Sequence, residues 1–165
     1  MRYALHLFPQ FADMDGIEHV RARYDPLFGL IPPHITLVFP FDAETDALIT
    51  AMEQARKILQ NTAPFRLETK SIERQKGFLW LLCGCGKEEI THLHDELYTH
   101  AFAAWYAPEY AYVPHITLGR GKNLPEDLML HSQSCIVDSA VLERICDDER
   151  SEILETIRFE GGYRI

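Results

Sequence analysis

Two hydrophobic periods take turns along this chain, one of about two residues and one of three to four, and together they lay out its elements. The apolar run Arg2 to Phe8 predicts a strand. A short helix is expected around Asp15 to Tyr24, capped by Asp13 or Asp15 and closed by Asp25-Pro26. The residues after His34 are rich in β-branched and aromatic types and follow an edge proline, which predicts a second strand. A helix capped by Asp42 or Thr45 then runs to about Gln60, because Leu48, Met52, Ala55 and Leu59 recur at helical spacing. Phe65 to Arg74 and Phe78 to Cys83 read as a hairpin turning at Lys76-Gly77, with Gly84 to Gly86 breaking the second strand. Ile90, Leu93, Leu97, Ala101 and Trp105 predict an amphipathic helix from Glu88 to about Tyr106, and a strand follows at His115. After a short helical or loop segment at Pro125 to Leu130, strands are expected around Ser134 to Cys146 and Glu152 to Glu160, joined by Asp147-Asp148-Glu149. Strands that meet mostly as hairpins, with helices between them, define an α+β protein with antiparallel sheets.

The same five residues occur twice on this pattern, as Pro33-His34-Ile35-Thr36-Leu37 and Pro114-His115-Ile116-Thr117-Leu118. An accidental match of this length is expected roughly once in a hundred chains of this size, so an internal repeat is the better explanation. In a strand, side chains alternate between faces at a rise of about 3.3 Å per residue. His34 and Thr36 therefore share one face, and His115 and Thr117 another. An imidazole moves a proton near neutral pH and a hydroxyl hydrogen-bonds an anionic oxygen, so each copy offers half of an acid-base site for a phosphate. Arg120 could supply positive charge, but strict alternation from His115 and Thr117 puts it on the opposite face unless the strand has ended, and a surface salt bridge explains it equally well. Alternation also buries Phe39 with Ile35 and Leu37, leaving Phe41, beyond Pro40, as the aromatic at the rim that could stack on a base.

These residues resemble the two-histidine (2H) phosphoesterases, a family defined by two His-x-Thr/Ser motifs that includes the bacterial 2′-5′ RNA ligase-like proteins and cyclic nucleotide phosphodiesterases. The similarity extends to the strand Arg2 to Phe8, to Arg23-Tyr24-Asp25-Pro26, to Leu30-Ile31-Pro32-Pro33-His34 and to His115-Ile116-Thr117-Leu118-Gly119-Arg120. It implies two pseudo-symmetric lobes, each an antiparallel sheet with flanking helices, around a central cleft. It further implies a metal-independent phosphodiesterase acting on 2′,3′-cyclic phosphates or related cyclic phosphodiesters of nucleotides or short RNA ends, with His34, Thr36, His115 and Thr117 as catalytic residues. By the same resemblance His115 activates water and His34 protonates the leaving group, although the residues themselves are symmetric and leave the order open. Ligation of 2′-5′ RNA, the reverse direction, would use the same groups; a non-catalytic nucleotide or RNA-end binding module and a partner-binding protein that merely records a duplication are the other readings.

Composition narrows the partners. The 165 residues fit one domain, 1–165, with two internally related lobes. With 16 Lys plus Arg against 25 Asp plus Glu, the net charge is −9, which disfavours nonspecific binding to long nucleic acid. Four cysteines on expected strands and no N-terminal targeting pattern lead to an expectation of reduced thiols and a cytoplasmic protein. No apolar run reaches the roughly 20 residues of a membrane helix. A metal or other cofactor is not expected: Cys83-x-Cys85 is too tightly spaced for a zinc pair, and His92 and His94 on a helix point about 200° apart. His92, Glu96 and His100 read as a solvated helix face. Gly119-x-Gly121-Lys122 lacks the spacing and the hydroxyl residue of a P-loop, and a Gly-x-Ser-x-Gly elbow is missing.

Overall fold

One four-stranded antiparallel sheet is built from the two ends of the chain and the other from its middle, and each copy of the repeat lies on a sheet edge. The computed structural model describes residues 1–109 and 111–162. Among these the order is β1 (Arg2–Leu7), α1 (Met14–Tyr24), β2 (Ile35–Asp42), α2 (Thr45–Gln60), β3 (Phe65–Gln75), β4 (Phe78–Cys83), α3 (Lys87–His100), β5 (His115–Arg120), β6 (Ser134–Val137), β7 (Ser139–Ile145) and β8 (Ser151–Arg158). The sheets run β2-β1-β7-β8 and β5-β4-β3-β6. Motif strands β2 and β5 correspond, as do their neighbours β1 and β4.

The β3–β4 hairpin turns where expected, with Lys76 and Gly77 both at positive φ, as a tight hairpin turn requires. Asp13 caps α1 by accepting from the Gly16 amide at 3.0 Å. At α2 neither Asp42 nor Thr45 is the cap; Glu44 holds that position without a side-chain bond. Helix α3 stops short of the expected Tyr106 because the Leu97 carbonyl accepts from both the Ala101 and Phe102 amides at 2.9 Å, and a separate 3₁₀ turn follows at Ala103–Trp105. The single strand expected from Ser134 to Cys146 is two. Val137 ends β6 beside β3, Ser139 begins β7 beside β1, and the chain changes sheets at Asp138. A run of strand-forming residues does not disclose a sheet change.

The helices cross between lobes. Helix α1, which precedes β2, packs on β5, and α3, which precedes β5, packs on β2. The apolar faces of both sheets meet these helices in one cluster that includes Leu5, Leu7, Ile35, Leu37, Leu79, Leu81, Ile116 and Leu118. Among the described residues no helix is long and apolar enough to cross a membrane.

Candidate active site

Both motif strands carry the same irregularity. On β2, Thr36 lies opposite His6 and Val38 opposite Leu5, so one extra residue is accommodated. Leu37 and Val38 are both fully buried, and the slip turns Phe39 outward, where it is 49% exposed. A second irregularity returns Phe41 to the core at 4% exposure, with its ring 5.2 Å from Phe102 and 4.9 Å from Trp105. On β5, Thr117 lies opposite Trp80 and Gly119 opposite Leu79, so Leu118 and Gly119 are both buried and Arg120 rotates back to the side of His115 and Thr117. Three expectations based on unbroken alternation are thereby corrected: Phe39 is not in the core, Phe41 is not at the rim, and Arg120 does not face away from the motif. Gly119 makes the second slip possible, since a Cβ there would lie 2.7 Å from the Tyr24 Cβ at the end of α1.

The two histidines are held alike. His34 Nδ1 lies 2.9 Å from the Pro32 carbonyl and His115 Nδ1 lies 2.7 Å from the Val113 carbonyl. A carbonyl only accepts, so Nδ1 carries the proton in each ring and Nε2 is left to take or give one. Pro33 and Pro114 keep the preceding residue extended, which presents that carbonyl to the ring two residues later. Both rings are half-buried. His34 is held well below the usual imidazole range, first by burial and then by the nearby His6, with Arg21 and Arg120 adding to it and the Pro32 hydrogen bond opposing it. Burial also lowers His115, with Arg120 acting in the same direction. Arg120 thus lowers both rings, and the two edge strands that carry them, β2 and β5, are in contact.

Several residues around the motifs gain from the fold a place that the sequence reading did not give them. His6 in β1 lies beneath His34, with ring centroids 4.3 Å apart, and its Nδ1 is 2.5 Å from a Glu143 carboxylate oxygen. Trp80 occupies the corresponding place in β4, stacked on His115 at 4.0 Å and 16°. The Trp80 indole N–H is a buried side-chain donor without a partner among the described residues. Asp25 of the Arg-Tyr-Asp-Pro segment accepts from Arg21 Nε at 3.1 Å and from the Leu27 amide at 3.1 Å, and it faces Arg120 Nε at 3.5 Å. Arg21 in turn donates to the Ile31 carbonyl at 2.8 Å, bracing the loop that leads into His34. The salt bridge weighed for Arg120 thus exists, but its partner is a buried carboxylate beside the site.

The remaining candidates lie elsewhere. His94 is buried in α3, where its Nδ1–H donates to the Leu37 carbonyl at 2.8 Å and its ring stacks on Tyr112. The Tyr112 hydroxyl donates to the Thr36 carbonyl at 2.7 Å, and burial pushes its ionisation upward. His92 and His100 face solvent, the latter 3.7 Å from Glu96. Among the described residues no group of three His, Cys, Asp or Glu side chains is placed to hold a metal ion. A hollow lined by Arg74, Lys76, Phe78 and Lys122 adjoins Arg120, whose guanidinium lies 5.8 Å from the Phe78 ring.

Comparison with known proteins agrees with this architecture. A protein of Geobacillus thermodenitrificans named "Putative phosphoesterase" is 35% identical over 123 residues, which is 73% of this chain and 69% of that one. A Bacillus licheniformis protein with the same kind of name is 29% identical over 165 residues, covering 98% of this chain and 82% of its own. Among solved structures, TT0787 of Thermus thermophilus superimposes with a TM-score of 0.77 at 18% identity, covering 99% of this chain and 100% of that one. E. coli LigT complexed with 3′-AMP gives 0.67 at 17% identity, with coverages of 96% and 97%. The family model of the 2′-5′ RNA ligase superfamily matches residues 8–144, and by that match over most of its length the chain belongs to this superfamily, the two-histidine phosphoesterases.

Proposed function

We propose that this protein is a metal-independent phosphodiesterase that opens 2′,3′-cyclic phosphates, or related cyclic phosphodiesters, of nucleotides or RNA ends. The observation that carries the proposal is the matched pair of histidines on touching edge strands, each with Nδ1 tied to a backbone carbonyl and Nε2 left over, with Arg120 on the same side of β5 as His115. Hydrolysis needs one group to take a proton from water as its oxygen bonds to phosphorus, and another to protonate the ester oxygen as the ring P–O bond breaks. His34 and His115 supply these two functions, so no metal is required. Thr36 and Thr117 donate to the non-bridging oxygens, and Arg120 compensates the charge that builds on them. Phe39, rather than Phe41, offers the exposed ring on which a base can stack.

The substrate class fits what is known of relatives. E. coli LigT has been solved with 3′-AMP, ATP, NADP+ and phosphate, all of which carry a phosphate group. The basic hollow beside Arg120 gives this acidic chain a local positive surface along which an oligonucleotide end could continue. Ligation would run the same proton transfers backward, and assaying both directions on one RNA end separates the two.

The test is turnover of a panel of 2′,3′-cyclic nucleotides and cyclic-ended oligonucleotides. His34→Ala and His115→Ala are each expected to lower kcat by about 10²–10⁴-fold with the fold intact by circular dichroism, and chelator is expected to change nothing. Full activity in either variant refutes the shared site. Tight binding without turnover by the native protein would make it a binding module.

A further inference from the structure

A single buried carboxyl group ties together the approaches to both motif strands. Asp25 follows α1 directly, with a side chain only 2% exposed, and its two oxygens reach in different directions. Oδ2 accepts from Arg21 Nε at 3.1 Å, and Arg21 extends that anchor to the Ile31 carbonyl at 2.8 Å, in the loop that enters His34. Oδ1 accepts from the Leu27 amide at 3.1 Å and faces Arg120 Nε at 3.5 Å, on the strand of His115. Each of these groups only donates, so Asp25 acts as an acceptor on both sides. The two arginines differ in what they have left to offer. Arg21 is 1% exposed and committed to Asp25, Glu18 and Ile31, whereas the Arg120 side chain is 37% exposed and meets Asp25 through its inner Nε edge. Its guanidinium also lies 5.8 Å from the Phe78 ring, and the negative pole at the end of α1 favours a cation at this place.

Resting on the phosphodiesterase reading, we propose that Asp25 is a positioning residue: it aims Arg120 at the reacting phosphate and, through Arg21, fixes the loop that delivers His34. Buried as it is, Asp25 touches no substrate and acts through these two arginines. An arginine side chain on a sheet edge has many rotamers, and ordering it only when substrate arrives costs binding energy. Asp25 at the Nε edge and Phe78 against the plane order it beforehand, which leaves the Nη groups for the non-bridging oxygens. A donor fixed in advance counts most where negative charge builds up, in the transition state, so losing the anchor lowers kcat more than it raises KM. The contact of Tyr24 with Gly119 gives the same end of α1 its seat on β5, one residue before Arg120.

A double-mutant cycle on the full-length protein tests this, with Asp25→Asn placed in the native and in the Arg120→Met background. On a 2′,3′-cyclic nucleotide Asp25→Asn is expected to lower kcat by about 10–100-fold while moving KM less than about threefold. In the Arg120→Met background the same change should cost less than about twofold more, because the group it aims is already gone. A loss of equal size in both backgrounds marks Asp25 as merely structural and overturns the proposal. Arg120→Lys leaves Asp25 and Arg21 untouched and decides the matter even if Asp25→Asn does not fold. It keeps the charge but loses the planar fork, and a drop in kcat of at least about tenfold is expected, whereas native activity overturns the proposal. If the native protein turns over no cyclic phosphate, the cycle is read instead as affinity for inorganic phosphate by calorimetry. An affinity loss of about fivefold or more in Asp25→Asn that vanishes beside Arg120→Met then upholds the role of Asp25 while the phosphodiesterase reading falls, and equal losses in both backgrounds overturn that role as well.

Discussion

Where the first lobe has Val38 and Phe39, the second has Gly119 and Arg120, and where the first sets His6 against its histidine, the second sets Trp80. The backbone is the part that the two lobes share: an edge strand, a carbonyl two residues before the histidine, and a slip after the threonine that turns the next side chains by one position. The side chains are the part that differs. Two identical histidines in identical surroundings would share a single proton equally, with neither assigned as acid or base. In this molecule repetition supplies placement and divergence supplies the chemical difference.

The comparison breaks most easily at the slips. Phe41→Ala is expected to cost about 3–5 kcal/mol of stability, because its ring fills the core, whereas Phe39→Ala costs under about 1 kcal/mol. Denaturant unfolding of the two variants distinguishes this register from unbroken alternation, which predicts the opposite ranking. Arg120→Met is expected to lower kcat on a cyclic nucleotide by about 10²–10³-fold, while Phe39→Ala, its counterpart, mainly raises KM by about tenfold. Equal effects on kcat would remove the distinction between the lobes. Gly119→Val, which installs the first-lobe residue in the second, should destabilise by about 1–3 kcal/mol through collision with Tyr24, again read by denaturant unfolding. The smallest effect is on pH dependence. Both site histidines are lowered in the folded state from an ordinary value of 6.5, so just below that pH the unfolded chain binds more protons. Stability should therefore be fully present above about pH 6.5 and fall as the solution is acidified through that range, with a shallower fall in His34→Asn/His115→Asn.

Periodicity and the repeat were enough to reveal the α+β class, the two-lobed plan and nearly every element, because helix and strand spacing are local properties. The errors came from pairing between distant segments. Nothing in Thr36-Leu37-Val38 announces that its partner strand is one residue shorter, so Phe39 and Phe41 exchanged places, and only Gly119 hinted at the equivalent slip before Arg120. The change of sheet at Asp138 was hidden for the same reason. Of the candidate site, the histidines and threonines were legible as a motif, whereas the side on which Arg120 stands was not. His6, Trp80, Asp25 and Glu143 were not, since each gains its meaning from a neighbour up to 137 residues away.

The crossing of the helices bears on how the cleft can move. Tyr24 at the end of α1 rests on Gly119 of the opposite lobe, and in the mirror arrangement Tyr98 and His94 of α3 hydrogen-bond to Phe39 and Leu37. Spreading the two sheets would have to unseat both contacts at once. The β2 and β5 edges are thus braced from behind, like a vice whose jaws are bolted to each other.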